Sequence, residues 1–376
     1  MNAGFKTCAD PSVTPMANIA IPAGMRYNGR AGTRLEWEAI VHNAGRSAMG
    51  VESDTLEFKF YYIGADGNAA GFGAKRGRVT PTAVELKDTE IPHTAILDTM
   101  ARDNRLILVV DTIQVPGKIA KHFTNGQILA LQVSKAKPVE LKKMIDQITS
   151  IHRAKRHKDE LEAKGEGDTF RCLVCPQCEA TLDVSGLPDT VYVHCPYCES
   201  IAQHDGRLIP SGERYRQCEE CGWFDRVQGY TEFYFYFLLV LYGFSYKRRY
   251  LCDVCVNRVF WKVLLMNIIF ILGIPPAIWM KIKSKLRREV GLREIARANT
   301  LARKGRSVEA LQLYNNVLDR HPGHPGIHYD QALGALLENQ LITAREFLDL
   351  SLQQCANYTP ARYLLEQLDE LEKQGN

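Results

Sequence analysis

The sequence predicts a multidomain α+β chain with a β-rich N-terminal domain, two cysteine-rich modules, an apolar segment and a helical C-terminal region. Three observations support this fold class. Eight of the eleven cysteines fall into four CxxC pairs, apolar residues are concentrated in residues 230–282, and residues 290–374 show helical periodicity with a 34-residue repeat. A chain of 376 residues is long enough for several compact domains.

The charge of the chain is nearly balanced, with 47 basic and 43 acidic side chains and a net charge of +4. Such a balance does not favour nucleic acid as a partner. Residues 1–30 are predicted to be a loose segment, and no secretory signal is predicted there because no apolar core follows a basic start. In a reducing compartment, paired cysteines hold metal more often than they form disulfides.

The first domain is predicted to occupy residues 31–165. Apolar runs at 56–63, 105–110 and 128–133 are typical of strands, and the glycine-rich stretch 64–77 is predicted to be a loop. Residues 138–163 are predicted to form a helix, because Pro138 suits a first turn and apolar residues recur at helical spacing.

A set of strands closed by one amphipathic helix resembles a pleckstrin-homology-like β-barrel. The phrase Ile91-Pro-His-Thr-Ala-Ile96 is similar to bacterial versions of that fold. The resemblance covers about 100 residues and implies a barrel with a C-terminal helix. It does not imply a particular ligand, since such domains bind lipids or peptides.

The first cysteine-rich module is predicted at residues 170–210. Cys175 and Cys178 are separated by sixteen residues from Cys195 and Cys198. Four thiolates suit the tetrahedral shell of Zn²⁺. The segment resembles a zinc ribbon of the CPxC…CPxC kind, with residues 181–184 and 190–193 predicted to pair as a hairpin.

Two alternatives stay open for this module. Cys172 also forms a CxxC pair with Cys175 and could act as an alternative ligand. Cys195-Pro-Tyr-Cys198 resembles the active-site tetrapeptide of glutaredoxins, which would make the chain a thiol oxidoreductase. That enzyme needs a helix directly after the motif, where Gly206 and Pro210 would interrupt it.

The second cysteine-rich module is predicted at residues 213–258. Cys218 and Cys221 are separated from Cys252 and Cys255 by an aromatic insert of thirty residues. We interpret it as a second zinc ribbon, so about two zinc ions are expected per chain. Because four thiolates leave no open coordination position, the expected role is structural.

The apolar segment 259–285 is predicted to associate with a membrane. Residues 263–280 carry no charge, and basic residues flank them on both sides. The predicted interfacial residues are Trp261, Trp279, Lys281, Lys283 and Lys285. Basic flanks on both sides favour a helix–break–helix hairpin at Pro275-Pro276, with a single crossing as the alternative.

The aromatic stretch 233–244 is too short to span a bilayer as a helix, which needs about 20 residues. A crossing would also place the two cysteine pairs of the second module on opposite faces of the membrane. The stretch is therefore predicted to be a long β-hairpin or a re-entrant hairpin.

Residues 288–374 are predicted to be helical repeats. Ala298 matches Ala332, and Ala310 matches Ala344, at a spacing of 34 residues. The region resembles tetratricopeptide repeats, which implies docking of protein partners. Two repeats and a capping helix are fewer than the usual three, so pairing with another subunit is an open alternative.

The parts together predict a membrane-associated zinc-binding adaptor with its zinc modules and helical repeats on the cytoplasmic side. No residue set typical of a hydrolase or kinase emerges from the sequence, so an enzyme is not expected. A zinc-ribbon protein associated with nucleic acid is the main alternative.

Overall fold

The structure of the chain is a computed structural model. It describes residues 55–375 except 65–68, 88, 125, 135, 204–208, 211–213, 239–240, 269–277, 280 and 283–292, and it describes only the backbone of 70–72, 124, 233–238, 241–248, 266–268 and 374–375. The predicted loose segment 1–30 lies outside the described residues, as do Lys283 and Lys285.

A curled antiparallel sheet, shaped as a half-barrel, forms the N-terminal part. Its strands are β1 (Leu56–Ile63), β2 (Ala69–Val79), β3 (Ala83–Leu86), β4 (Thr89–Pro92), β5 (Ile96–Arg102), β6 (Arg105–Val110), β7 (Phe123–Thr124) and β8 (Ile128–Ser134). The strand order is β4-β3-β2-β1-β8-β6-β5, and β7 pairs with β8. In β1, Phe58, Phe60 and Tyr62 are buried while the residues between them are partly exposed, the period of a sheet with one buried face.

Strand β2 occupies most of the stretch that was predicted to be a loop. Gly77 pairs with Phe58 across the strands, and a Cβ at Gly77 would lie 2.7 Å from the tip of the Phe58 ring. Glycine at this position permits a close approach between neighbouring strands and does not mark a turn. The loop prediction for 64–77 was therefore wrong from residue 69 onward.

Helix α1 (Pro138–Ala163) packs against the half-barrel along one side, as its periodicity predicts. Leu141 and Ile145 belong to the buried core of the sheet. On its other side the helix meets the first cysteine module, where Ser150 Oγ accepts a hydrogen bond of 2.9 Å from the backbone N–H of Thr181. The helix is therefore shared by two domains.

Two short hairpins build the first cysteine module. Its strands are β9 (Cys172–Val174), β10 (Thr181–Asp183), β11 (Tyr192–His194) and β12 (Ile201–Gln203). β9 pairs with β10, and β11 pairs with β12. The predicted pairing of 181–184 with 190–193 was wrong, because each strand pairs across its own CxxC loop.

The second cysteine module contains a long hairpin and a helix. Its elements are β13 (Tyr215–Gln217), β14 (Phe224–Leu238), β15 (Leu241–Cys252) and α2 (Asp253–Ile268). The aromatic stretch is thus an antiparallel hairpin, paired without a break in register from Val227–Cys252 to Leu238–Leu241. Among the described residues, no helix is long and apolar enough to cross a membrane.

Five helices form the C-terminal region. They are α3 (Arg293–Ala302), α4 (Ser307–Leu318), α5 (Pro325–Leu337), α6 (Leu341–Gln354) and α7 (Thr359–Gly375). Gly305 and Asn339 occupy equivalent turns with φ of 73° and 59°. Asparagine tolerates the left-handed region better than most residues, so the two turns share one backbone geometry although the residues differ.

Candidate metal centres

Each CxxC loop of the first module has the same backbone geometry. The N–H of Cys175 donates to Ala180 O at 2.9 Å, and the N–H of Glu179 donates to Cys175 O at 2.8 Å. Cys195 makes the equivalent pair of bonds with Ser200 and Glu199, each at 2.8 Å. Glu179 and Glu199 have φ of 64° and 61°, which turns the chain back sharply. The two loops therefore present their sulfurs in the same way.

The four sulfurs of the first module face one another. The Sγ atoms of Cys175 and Cys198 are 3.6 Å apart, as are those of Cys178 and Cys195. Metal–sulfur bonds of about 2.3 Å in a tetrahedron would separate the sulfurs by about 3.8 Å, whereas a disulfide would bring them to about 2.05 Å. The spacing fits a shared metal ion and not disulfide bonds.

The second group is built differently from the first. Cys218 and Cys221 lie on a loop like those above, where Gly222 has φ of 75° and its N–H donates to Cys218 O at 2.8 Å. Cys252 ends β15, and Cys255 lies in the first turn of α2. The second group thus combines one loop, the end of a hairpin and a helix N-terminus, whereas the first group is built from two matching loops.

The sulfurs of the second group also converge, with Cys221 and Cys252 Sγ atoms 3.9 Å apart. The ligand atoms of each group lie within 4.8 Å of one another, so each could hold a metal ion. The backbone N–H of Cys252 donates to Cys218 Sγ at 3.3 Å, a bond that favours the thiolate. A helix N-terminus likewise favours negative charge at Cys255.

Within each group, the ionisation of one thiol opposes the ionisation of its neighbours. Hydrogen bonds from neighbouring cysteines lower the pKa of Cys175 and of Cys218. The corresponding bonds raise the pKa of Cys195 and of Cys252. A bound divalent cation would offset this repulsion, because metal binding requires all four thiolates and releases their protons.

Arg303 of the C-terminal helices contacts the second group. Its Nη2–H donates to Cys221 Sγ at 3.0 Å, and its guanidinium lies 4.9 Å from the centre of the Trp223 ring. Four thiolates around a divalent ion carry an excess negative charge, which a guanidinium stabilises. Arg303 was not predictable from the sequence, since no local signal relates it to a cysteine 82 residues away.

The second cysteine module is anchored in the C-terminal helices by Phe224. Its ring is buried in one core with the helices, and a Cβ at Gly326 would lie 2.7 Å from that ring. The Phe224 N–H donates to Asp330 Oδ1 at 2.8 Å, and its carbonyl accepts from Asn299 Nδ2 at 2.9 Å. The face of α3 and α5 that receives Phe224 is therefore filled by the chain itself.

The first cysteine module is joined to the same helices by Asn357. Its amide donates to His194 O at 2.7 Å and accepts from His194 N at 2.8 Å. Tyr192 adds a hydroxyl donation of 2.6 Å to Pro322 O. Both cysteine modules and the helices thus form one packed unit, which the sequence did not predict.

A buried histidine fixes the start of α5. His324 Nδ1 accepts the N–H of Gly326 at 3.1 Å, so the proton lies on Nε2, which donates to Pro210 O at 3.0 Å. Burial lowers the pKa of His324 to about 4. Because this value lies below the ordinary 6.5, the unfolded chain binds the proton first as the pH falls. The contribution of neutral His324 to the free energy of unfolding is therefore complete above pH 6.5 and is lost progressively as the pH falls towards 4.

Three of the other predicted site residues lie outside the groups. Cys172 lies on β9 opposite Asp183, and burial raises the pKa of its thiol to about 12. Within the first group, Cys198 is followed by β12 and not by the helix that a glutaredoxin motif requires. Trp261 and Trp279 are exposed by 53% and 61%.

Lys281 lies against helix α2. Its Nζ donates to Asn257 Oδ1 at 2.9 Å and lies 3.8 Å from the centre of the Phe260 ring.

Comparison of the chain with protein-family models, curated proteins and solved structures finds no match to any of them.

Proposed function

We propose that the chain is a non-enzymatic, membrane-associated adaptor that holds two structural Zn²⁺ ions and docks protein partners. The observation that carries this proposal is the closed form of both cysteine groups. Four sulfurs converge in each group and most of them are buried, so a bound ion would have no open position for substrate or water. Catalytic zinc sites keep such a position open.

Zinc is the metal that the donor set favours. Four thiolates in a tetrahedron select Zn²⁺ or iron, and hard ions such as Mg²⁺ prefer oxygen ligands. The first module resembles a zinc ribbon in its paired CPxC loops. The half-barrel with its closing helix supports the pleckstrin-homology-like resemblance, and the paired helices support the tetratricopeptide-like one.

The outer surface of the helical region is the proposed docking surface for protein partners. The inner face is filled by Phe224, so a partner must approach elsewhere. Val308 and Ile342 lie in the first turns of α4 and α6 and are exposed by 72% and 78%. A hydrogen bond joins Ser307, which precedes Val308, to Glu338 in the turn before α6. Exposed apolar side chains grouped in this way favour association with a protein.

Metal analysis of the purified full chain tests the zinc assignment. About two zinc ions per chain are expected, and a metal-free, fully folded protein would refute the structural role.

Affinity purification from detergent-solubilised membranes tests docking. Proteins that co-purify with the wild type should be lost from a Val308→Asp/Ile342→Asp variant, because a carboxylate opposes apolar association. They should be retained by Leu371→Asp, which changes an exposed apolar residue on α7. Retention by both variants, or loss from both, would contradict docking at the helix turns.

A further inference from the structure

A cleft of about 480 Å³ lies where the two cysteine modules meet the C-terminal helices. Each module supplies one wall, and the start of α7 supplies the third. In that order, the walls contain Pro196 and Glu199, Arg216 and Glu219, and Thr359 and Tyr363. Pro196 and Glu219 lie inside CxxC loops, so a metal ion in each cysteine group would hold two of the three walls in place.

Arg216 is a cation of the cleft whose hydrogen-bonding capacity is largely unused. Its guanidinium lies over the Tyr250 ring, with Cζ 4.0 Å from the ring centre. Nη1 is 3.4 Å from Glu199 Oε1, and Nη2 is 3.5 Å from Glu219 Oε1. Hydrogen bonds between charged groups are usually about 2.7–2.9 Å long, so both contacts are loose. Nε is buried and has no partner among the described residues.

Neither glutamate depends on Arg216 for stabilisation. Glu219 also pairs with Arg102 at 3.2 Å, and the side chain of Glu199 is 47% exposed and stays hydrated without a partner. A further carboxylate that reached Arg216 would meet donors in a fork that matches its two oxygens. Two arginines and two glutamates alternate here, so their charges balance. The N-terminus of α7 at Thr359 then favours an anion in the cleft.

The remaining surface of the cleft is apolar and aromatic. Tyr358 is buried with its ring edge against His194, at 5.4 Å between the ring centres. His194 Nδ1 is a second buried nitrogen that lacks a partner in the described part of the chain. Pro196 and Pro360 add apolar surface, and Tyr363 is 61% exposed. A large apolar group next to the carboxylate would cover this surface.

The cleft is open on one side, where Tyr363 and Glu199 reach the solvent. Sites for small molecules enclose most of their ligand. An open cleft fits two neighbouring side chains of a longer chain that continues away on both sides.

We propose that this cleft binds a segment of a protein partner in which a glutamate or aspartate stands next to a large apolar residue. Arg216 receives the carboxylate, and the apolar side chain lies against Tyr363 and Pro196. The inference rests on the proposed docking of protein partners. It adds a second docking site, separate from Val308 and Ile342, and the class of sequence that this site recognises.

Binding of a labelled peptide to the zinc-loaded full chain tests the inference. The probe is a dye-labelled Gly-Glu-Phe-Gly-Gly with an amidated C-terminus, and the same peptide with Gln in place of Glu is its matched control. In fluorescence polarisation the Glu peptide should bind at least tenfold more tightly, because only a carboxylate forms charge-assisted bonds. The difference should shrink as salt increases. Equal binding of the two peptides, or no binding of the Glu peptide at about 1 mM, would overturn the inference.

Two variants locate the contact. Arg216→Gln should weaken binding of the Glu peptide at least tenfold and leave binding of the Gln peptide unchanged. Arg362→Gln should leave both within twofold, since Arg362 is an exposed arginine of α7 that lines a different groove. An Arg216→Gln chain that keeps its zinc and still prefers the Glu peptide would contradict the role of Arg216.

The apolar part of the site has its own test, which does not depend on the folding of Arg216→Gln. Tyr363→Ser changes an exposed side chain, so the fold should be kept. The wild type should prefer Phe over Ala beside the Glu, and Tyr363→Ser should lose that preference. An unchanged preference would place the apolar residue elsewhere and overturn the proposed site.

Competition with free 3-phenylpropionate separates a peptide from a small carboxylate. It should displace the Glu peptide at least tenfold less well than the unlabelled peptide does, and equal displacement would overturn the assignment to a protein partner. Absence of peptide binding with zinc and captured partners retained would overturn this inference alone. Peptide binding by a chain that holds no zinc and captures no partner would instead overturn the adaptor proposal.

Discussion

Replacing Phe224 with alanine tests whether the second cysteine module and the C-terminal helices are one packed unit. The ring is 1% exposed and lies in the core that contains α3 and α5. The substitution leaves the backbone bonds to Asp330 and Asn299 available, so it removes packing alone. Phe→Ala changes in a core cost about 3–5 kcal/mol, and the void above Gly326 should place this one near 4 kcal/mol.

Native-state hydrogen exchange measures the effect where it arises. A loss of about 4 kcal/mol should speed exchange of the protected amides in α3 and α5 by about 1,000-fold. The amides at the base of β14 should speed up by a similar factor, because the same opening exposes both. Val308→Ala is the control, since a substitution on an exposed side chain changes stability by only about 0.5 kcal/mol.

The outcome that would refute the reasoning is independent behaviour of the two parts. If Phe224→Ala accelerated exchange at the base of β14 and left α3 and α5 within twofold of the wild type, the helices would be stable alone. The filled inner face would then not contribute to their stability.

Three further predictions concern the metal groups and the buried histidine. Cys178→Ser should lower the zinc content from about two to about one per chain, whereas Cys172→Ser should leave it unchanged, as atomic absorption will show. Arg303→Met should weaken zinc binding by the second group alone by about 10- to 100-fold in chelator competition; equal weakening of both groups would argue against the contact with Cys221. His324→Asn should remove the titration, so the wild type loses about 2 kcal/mol relative to this variant between pH 7.5 and 5 in urea unfolding. Parallel pH curves for the two proteins would contradict that assignment.

Local features were predictable because their causes are local. The grouping of the eight cysteines follows from CxxC spacing, since three of the four pairs lie on loops that close with bonds between residues four and five positions apart. Helix α1 and the C-terminal helices follow from apolar periodicity, and the hairpin over the aromatic stretch follows from its length and its flanking cysteines. Asn339 stands where the first repeat has Gly305, and the turn keeps the same backbone geometry because both residues adopt positive φ.

Packing between distant segments was not predictable. Nothing around Phe224 distinguishes an aromatic residue that enters a helical groove from one that stays within its own module. The resemblance to tetratricopeptide repeats implied docking of protein partners, yet the face of α3 and α5 beside Gly326 accepts a ring from the same chain. The pairing of β9 with β10 was missed for a related reason, since alternation indicates strands without indicating their neighbours.

The sharing of α1 between two domains limits where recombination can divide the gene without damaging the fold. Asp146 of α1 is buried, and Lys142 pairs with it and donates to Tyr197 O at 2.8 Å. Burial raises the pKa of Asp146 to about 6. A recombination break after residue 165 would remove Tyr197 and Thr181 and leave Ser150 and Asp146 facing solvent on a helix shaped for contact. The half-barrel and the first cysteine module should therefore pass between genes as a single piece, although their sequences read as two.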